Sequence, residues 1–126
     1  VGCAQCHRFN GQGGAVGPDL TAVRTRLNRA TVLESILEPS KLIADEYANF
    51  EFVKTDGETV IGHIEHEDAK EVILRTASAI DEPVHLRKSD IRKRTKSPVS
   101  NMPAGMVNIL EKDQILDLLS YLLTSP

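Results

Sequence analysis

The sequence predicts a mainly α fold, helical at both ends, with a small antiparallel β-rich insertion between the middle helix and the loop before the last helix. Three observations predict it. Residues 112–124 (KDQILDLLSYLLT) place Ile115, Leu118, Leu119 and Leu122 on one face of an amphipathic helix. Residues 20–38 read as a second helix, in which Leu33, Ile36 and Leu37 share a face, Asn28 offers an N-cap and Pro39 follows the end. From about residue 46 the apolar period changes from helical to two.

The elements follow in order. Residues 8–19 (RFNGQGGAVGPD) form a loop with four of the eight glycines of the chain. EYANFEFVK and ETVIGHIEHE read as a hairpin turned at Asp56-Gly57. EVILRTA and PVHLRK are two further strands, separated by SAIDE. The four strands predict an antiparallel meander with Phe50, Phe52, Val60, Ile64, Val72 and Leu74 as core positions. SDIRKRTKSPVS, residues 89–100, reads as a basic connection with weak helical signal. The 126 residues are organised as one domain in three parts: 1–44, the insertion 45–97, and 98–126.

Composition excludes several classes. A net charge of −3 with mixed signs gives no nucleic-acid or membrane surface. No apolar run approaches the roughly 18 residues that span a bilayer. The run Arg87–Lys96 (RKSDIRKRTK) suits an acidic partner or a negatively charged cofactor edge, although such runs are commonly a solvated face. Aromatics are scarce at 4%, so a bulky apolar cofactor would help to fill the core. The only two cysteines lie three positions apart and cannot staple a fold of this length, so their purpose is chemical.

Cys3-Ala4-Gln5-Cys6-His7 is C-x-x-C-H, the attachment signature of a c-type haem. Two thiols at this spacing can add to the two vinyl groups of one porphyrin, and the next residue then offers its imidazole to the iron. The expected cofactor is one haem c, covalent through Cys3 and Cys6, with His7 as a metal ligand. A C-x-x-C redox pair would want a thioredoxin-like βαβ setting, which the pattern lacks. A zinc site would need further ligands, and His63, His66 and His85 have no ligand-like spacing to Cys6. The second axial position suits a thioether. The only methionines are Met102 and Met106. Pro103 keeps Met102 extended and outside any helix, which makes it the expected ligand. Met106 is expected to pack against the ring. Both are plain core residues if one of the strand histidines ligates instead.

These features resemble a class I cytochrome c: the C-x-x-C-H start, Gly17-Pro18-Asp19-Leu20, the Met102-Pro103 loop, and a terminal helix with Tyr121. The resemblance implies a class I cytochrome c-like fold around the insertion. It implies that the Pro18 carbonyl accepts a hydrogen bond from His7, that Leu20 packs on the porphyrin, and that Met102 completes the iron. ESILEPSKLI, the DG-x-x-x-x-G of Asp56–Gly62, Asp90-Ile91, S-x-MPAGM and LSYL extend it over nearly the whole chain. They resemble the Pirellula/Verrucomicrobium-type haem-binding domain, a family found at the C-terminal end of multidomain proteins with sugar-dehydrogenase-like propellers. Two departures stand out. No helix precedes C-x-x-C-H, and Met106 stands where the family has leucine.

The function expected from this likeness is non-enzymatic electron transfer, with a dehydrogenase or an electron acceptor as redox partner. The expected location is the periplasm or the outer face of a bacterial membrane. The alternatives are a haem-based sensor or enzyme with a displaceable methionine, and a structural haem module. Because the helix that packs across the terminal one is missing, an upstream segment or a second copy is expected to cover residues 112–124. The chain is expected to be less stable than a version extended upstream.

Overall fold

Two consecutive residues at positive φ, Asn10 (51°) and Gly11 (81°), turn the first hairpin of the chain. Such a pair matches the twist of the strands that it joins. Helix α1 (Cys3–Cys6) is a single turn, and it leads into a ribbon of β1 (Arg8–Phe9) and β2 (Gln12–Gly13). The expected loop therefore contains a hairpin, and Asn10-Gly11 is the sequence signal for it. The computed structural model describes residues 2–124.

Helix α2 (Arg29–Leu37) starts at its cap, not eight residues earlier. Asn28 Oδ1 accepts from the Thr31 backbone N–H at 2.9 Å and from the Thr31 hydroxyl at 3.0 Å. That satisfies one donor the first turn leaves orphaned. Ahead of it, Val23–Thr25 makes only a 3₁₀ turn. Helix α3 (Lys112–Thr124) has the bounds its periodicity predicts.

The described chain divides into two units, residues 2–42 with 102–124, and Ile43–Asn101. The first has a core of Val23, Val32 and Leu119, with Leu20, Ile36, Ile115 and Leu122 packed against it. Leu119 is 1% exposed. Much of the apolar face of α3 is thus covered by α2 and the 3₁₀ turn, within the same unit. Leu37, expected on the buried face of α2, is exposed.

The second unit is a five-stranded antiparallel sheet. Its strands are β3 (Asn49–Lys54), β4 (Thr59–Glu67), β5 (Glu71–Thr76), β6 (Ala79–Arg87) and β7 (Ile91–Lys96), in the order β6-β5-β4-β3-β7. Its core is Phe52, Val72, Leu74 and Leu86, with Phe50, Val60 and Ile64 against it. All six expected core positions lie in this cluster. The expected basic connection is instead β7, antiparallel to β3 with Arg94 opposite Phe52.

The chain is therefore not a mainly α, class I cytochrome c-like fold with a small insertion. Strand, at about 33%, exceeds helix, at about 28%. The reason is the sheet, which has five strands and a core of its own. A mixed α and β fold is the correct description.

Candidate functional site

Cys3 and Cys6 stand at the two ends of α1, unbridged and half-buried. Residues three apart share a face of a helical turn, and the His7 N–H closes that turn on the Cys3 carbonyl at 2.9 Å. Burial pushes the Cys6 thiol up, with a further push from Cys3. That runs opposite to an activated redox cysteine, whose thiol is depressed.

His7 leaves the turn with an extended backbone (φ −110°, ψ 139°). Its Nδ1 lies 2.7 Å from the Pro18 carbonyl. A carbonyl only accepts, so Nδ1 carries the proton, and in the neutral ring Nε2 carries the lone pair. This is the bond that Gly-Pro-x-Leu implied.

The glycine-rich loop wraps the motif backbone to backbone. Gly14 N–H donates to Ala4 O at 2.9 Å, Gly17 N–H to Cys6 O at 2.8 Å, and Leu20 N–H to Arg8 O at 2.8 Å. A Cβ on Gly14 would collide with the Gln5 carbonyl. A Cβ on Gly17 would sit 2.6 Å from His7 Cε1 and 2.9 Å from Nδ1. Gly17 thus forms a cradle against the imidazole face that no other residue permits. The sequence places Gly14 and Gly17 in a loop and does not by itself reveal their contact with the motif. The glycine density of the loop was the available signal.

The remaining site residues are placed as follows. Leu20 is half-buried against the Val23–Val32–Leu119 core. Met102 is half-buried in a bend outside any helix, as Pro103 predicts. Met106 is half-buried in the turn after it, and its methyl carbon lies 4.0 Å from where a Gly2 Cβ would stand, beside α1.

The strand histidines lie in the sheet unit. His66 and His85 are exposed near Asp68 (3.7 Å) and Glu71 (3.2 Å). His63 differs from these two. It is 5% exposed, opposite Asn49 across β3 and β4, with the Tyr47 ring edge-on at 5.1 Å. Burial pushes its imidazole down. In the basic run, Lys88 and Arg94 both bind the Glu67 carboxylate, at 2.9 and 2.8 Å, so part of that charge is spent inside the sheet.

Among the described residues, no three His, Cys, Asp or Glu side chains gather as a metal cluster, so the zinc alternative has no ligand set there. No helix among them is long and apolar enough to cross a membrane. No protein-family model matches the chain, and no curated protein matches it.

Proposed function

We propose that the chain is a c-type cytochrome domain that carries one covalent haem and relays single electrons. The observation that carries this reading is the 2.7 Å contact between His7 Nδ1 and the Pro18 carbonyl. It fixes the ring tautomer and orientation, and it leaves the Nε2 lone pair as a metal donor placed directly after two thiols one helical turn apart. The Gly17 cradle is a second support, since it fits a ring held in one plane.

In this reading Cys3 and Cys6 would form the two thioether attachments and His7 Nε2 would be one iron ligand. Met102 would supply a second through its sulfur, and Leu20 would pack beside the group. Bound there, haem supplies a one-electron ferrous–ferric couple. The protein contributes attachment, ligand orientation and exclusion of water. The redox partner is a dehydrogenase or an electron acceptor, and the location is the periplasm or the outer face of a bacterial membrane, where such attachment is made.

Denaturing mass spectrometry of chain made with the haem-attachment machinery tests this. One added haem mass is expected. A bare polypeptide mass would end the cytochrome reading. The position of Met106 beside α1 favours a second assignment of the thioether. A thioether bound to ferric iron gives a weak charge-transfer band at the red end of the visible spectrum. Met102→Ala should abolish it and lower the potential, whereas Met106→Ala should leave it in place. The reverse pattern moves the ligand to Met106.

A further inference from the structure

Asn49 begins β3, yet its side chain serves a different segment. It is 3% exposed. Its Nδ2 donates to the Val99 carbonyl at 3.0 Å and to Asn101 Oδ1 at 2.9 Å. Its backbone carbonyl accepts from the Ser97 N–H at 2.9 Å. One residue of the sheet therefore grips residues 97, 99 and 101, a stretch with no helix or strand of its own after Lys96. The grip lies wholly within the sheet unit. The next residue in the chain is Met102.

The amide geometry is forced and costly. The Val99 carbonyl only accepts, so the nitrogen of Asn49 must face it, and Asn101 must then turn its oxygen to that same nitrogen. Two buried atoms are left without partners, Asn49 Oδ1 and Asn101 Nδ2. Orphaned buried polar atoms destabilise, and apolar side chains of similar shape would avoid that penalty. What the amides provide instead is a fixed path for the strap at its last residue before the methionine.

We propose that Asn49, through Asn101, is a positioning residue for the Met102 thioether. The effect passes through the peptide bond between residues 101 and 102, and it rests on Met102 being the iron ligand. A strap held at its last residue restricts the backbone conformations open to the residue that follows, so less order is lost on binding the thioether and it is harder to displace.

Imidazole, which competes with a thioether for the iron, is the probe. Holo protein is titrated while the Soret band is followed, since it responds to a change of iron ligand in every variant, including those that lack the red-end band. Asn49→Leu should bind imidazole about tenfold more tightly, the size expected for losing one or two buried hydrogen bonds. Asn101→Ala should show a smaller gain, because the Val99 bond remains. In a Met102→Ala background, Asn49→Leu should change imidazole affinity no further, since the group it positions is gone. An equal gain in both backgrounds would mean general loosening and would overturn the proposal, as would unchanged affinity in both single variants. If Asn49→Leu fails to fold, Asn101→Ala carries the same comparison from a half-buried position. If Met102→Ala, with Asn49 intact, keeps the red-end band, the ligand assignment itself has failed and the positioning role falls with it.

Discussion

A single absent methyl group governs the surroundings of His7. The space a Gly17 Cβ would need is taken by the imidazole, 2.6 Å away at Cε1, and the Gly17 N–H is tied to Cys6 O at 2.8 Å. With the backbone held, the ring must move, and the contact with Pro18 is lost or stretched. Gly17→Ala should lower stability by about 1–3 kcal/mol, as overpacking does, read from the thermal midpoint. In holo protein it should also raise the reduction potential, because the proton on Nδ1 no longer makes the ligand more basic. An unchanged midpoint and potential would show that the ring yields without consequence. His63 supports a pH experiment. Its folded pKa lies below the ordinary value because of burial. The unfolded chain therefore binds the proton first as pH falls. The stability from this residue is complete above about pH 6.5 and is lost as pH falls below that toward the folded value. Urea unfolding at pH 7.5 and 5.5 should show the sheet losing stability at the lower pH, and His63→Phe should remove that part of the difference. The pairing of His7 with Pro18 was implied by the resemblance that Gly-Pro-x-Leu helps to carry. The burial of His63 was not, because its cover is Tyr47, brought over by a 3₁₀ turn at Asp45–Tyr47.

Among the elements, β7 shows why a strand can be invisible to pattern. Ile91 is half-buried, but Arg92 through Lys96 are all exposed, so no alternation of apolar and polar residues arises. An edge strand has one pairing partner, and charge along it also discourages pairing with another chain. What anchors β7 is Arg94, whose guanidinium lies 5.2 Å from the Phe52 ring centroid and 2.8 Å from Glu67 Oε2. Hydrogen bonds from Arg94 and then Lys88 hold the Glu67 carboxyl down at about 2. A carboxyl depressed in the folded state contributes stability above its unfolded value near 4.5, and that contribution is lost as pH falls toward 2. The groups are partly solvated, so the ion pairs contribute no more than about 1 kcal/mol. Arg94→Ala also uncovers the Phe52 ring, and a total loss of about 1–2 kcal/mol is expected from urea unfolding at pH 7. Arg94→Met should recover the part due to cover and none of the acid dependence. Equal stability of the wild type and Arg94→Ala would show that the guanidinium is idle.

At the scale of the molecule there are two cores, one around Leu119 and one around Phe52, which is 0% exposed. Each belongs to one contact unit. Separate cores predict separable unfolding. Leu119→Ala should cost about 2–5 kcal/mol and Phe52→Ala about 3–5 kcal/mol. In calorimetry each should move a different transition, the first being the one expected to rise when the proposed haem is attached. A single transition displaced by both variants would show that the units unfold as one. Repeating the scan over a range of concentrations tests the apolar residues of α3 that remain exposed, Leu116 and Tyr121. With Leu119 already packed on Val23 and Val32, midpoints should not depend on concentration.

Local chemistry was readable along the chain wherever neighbours in sequence are neighbours in space. C-x-x-C lies within one helical turn with His7 at its end, Asn28 caps the turn that follows it, and residues 112–124 turn Ile115, Leu119 and Leu122 of the face their spacing marks toward one core. Asn10-Gly11 is a signal of the same local kind, since both residues take positive φ in the turn between β1 and β2. The balance of the fold was not legible, because the charges of residues 91–96 hide a strand that exists only through its pairing with β3. Nor was the reach of Asn49 to Val99 and Asn101, about fifty positions away in the chain. The physical reason is common to both: periodicity and capping depend on a few adjacent residues, whereas an edge strand and a buried amide acquire their meaning from partners that folding alone brings near.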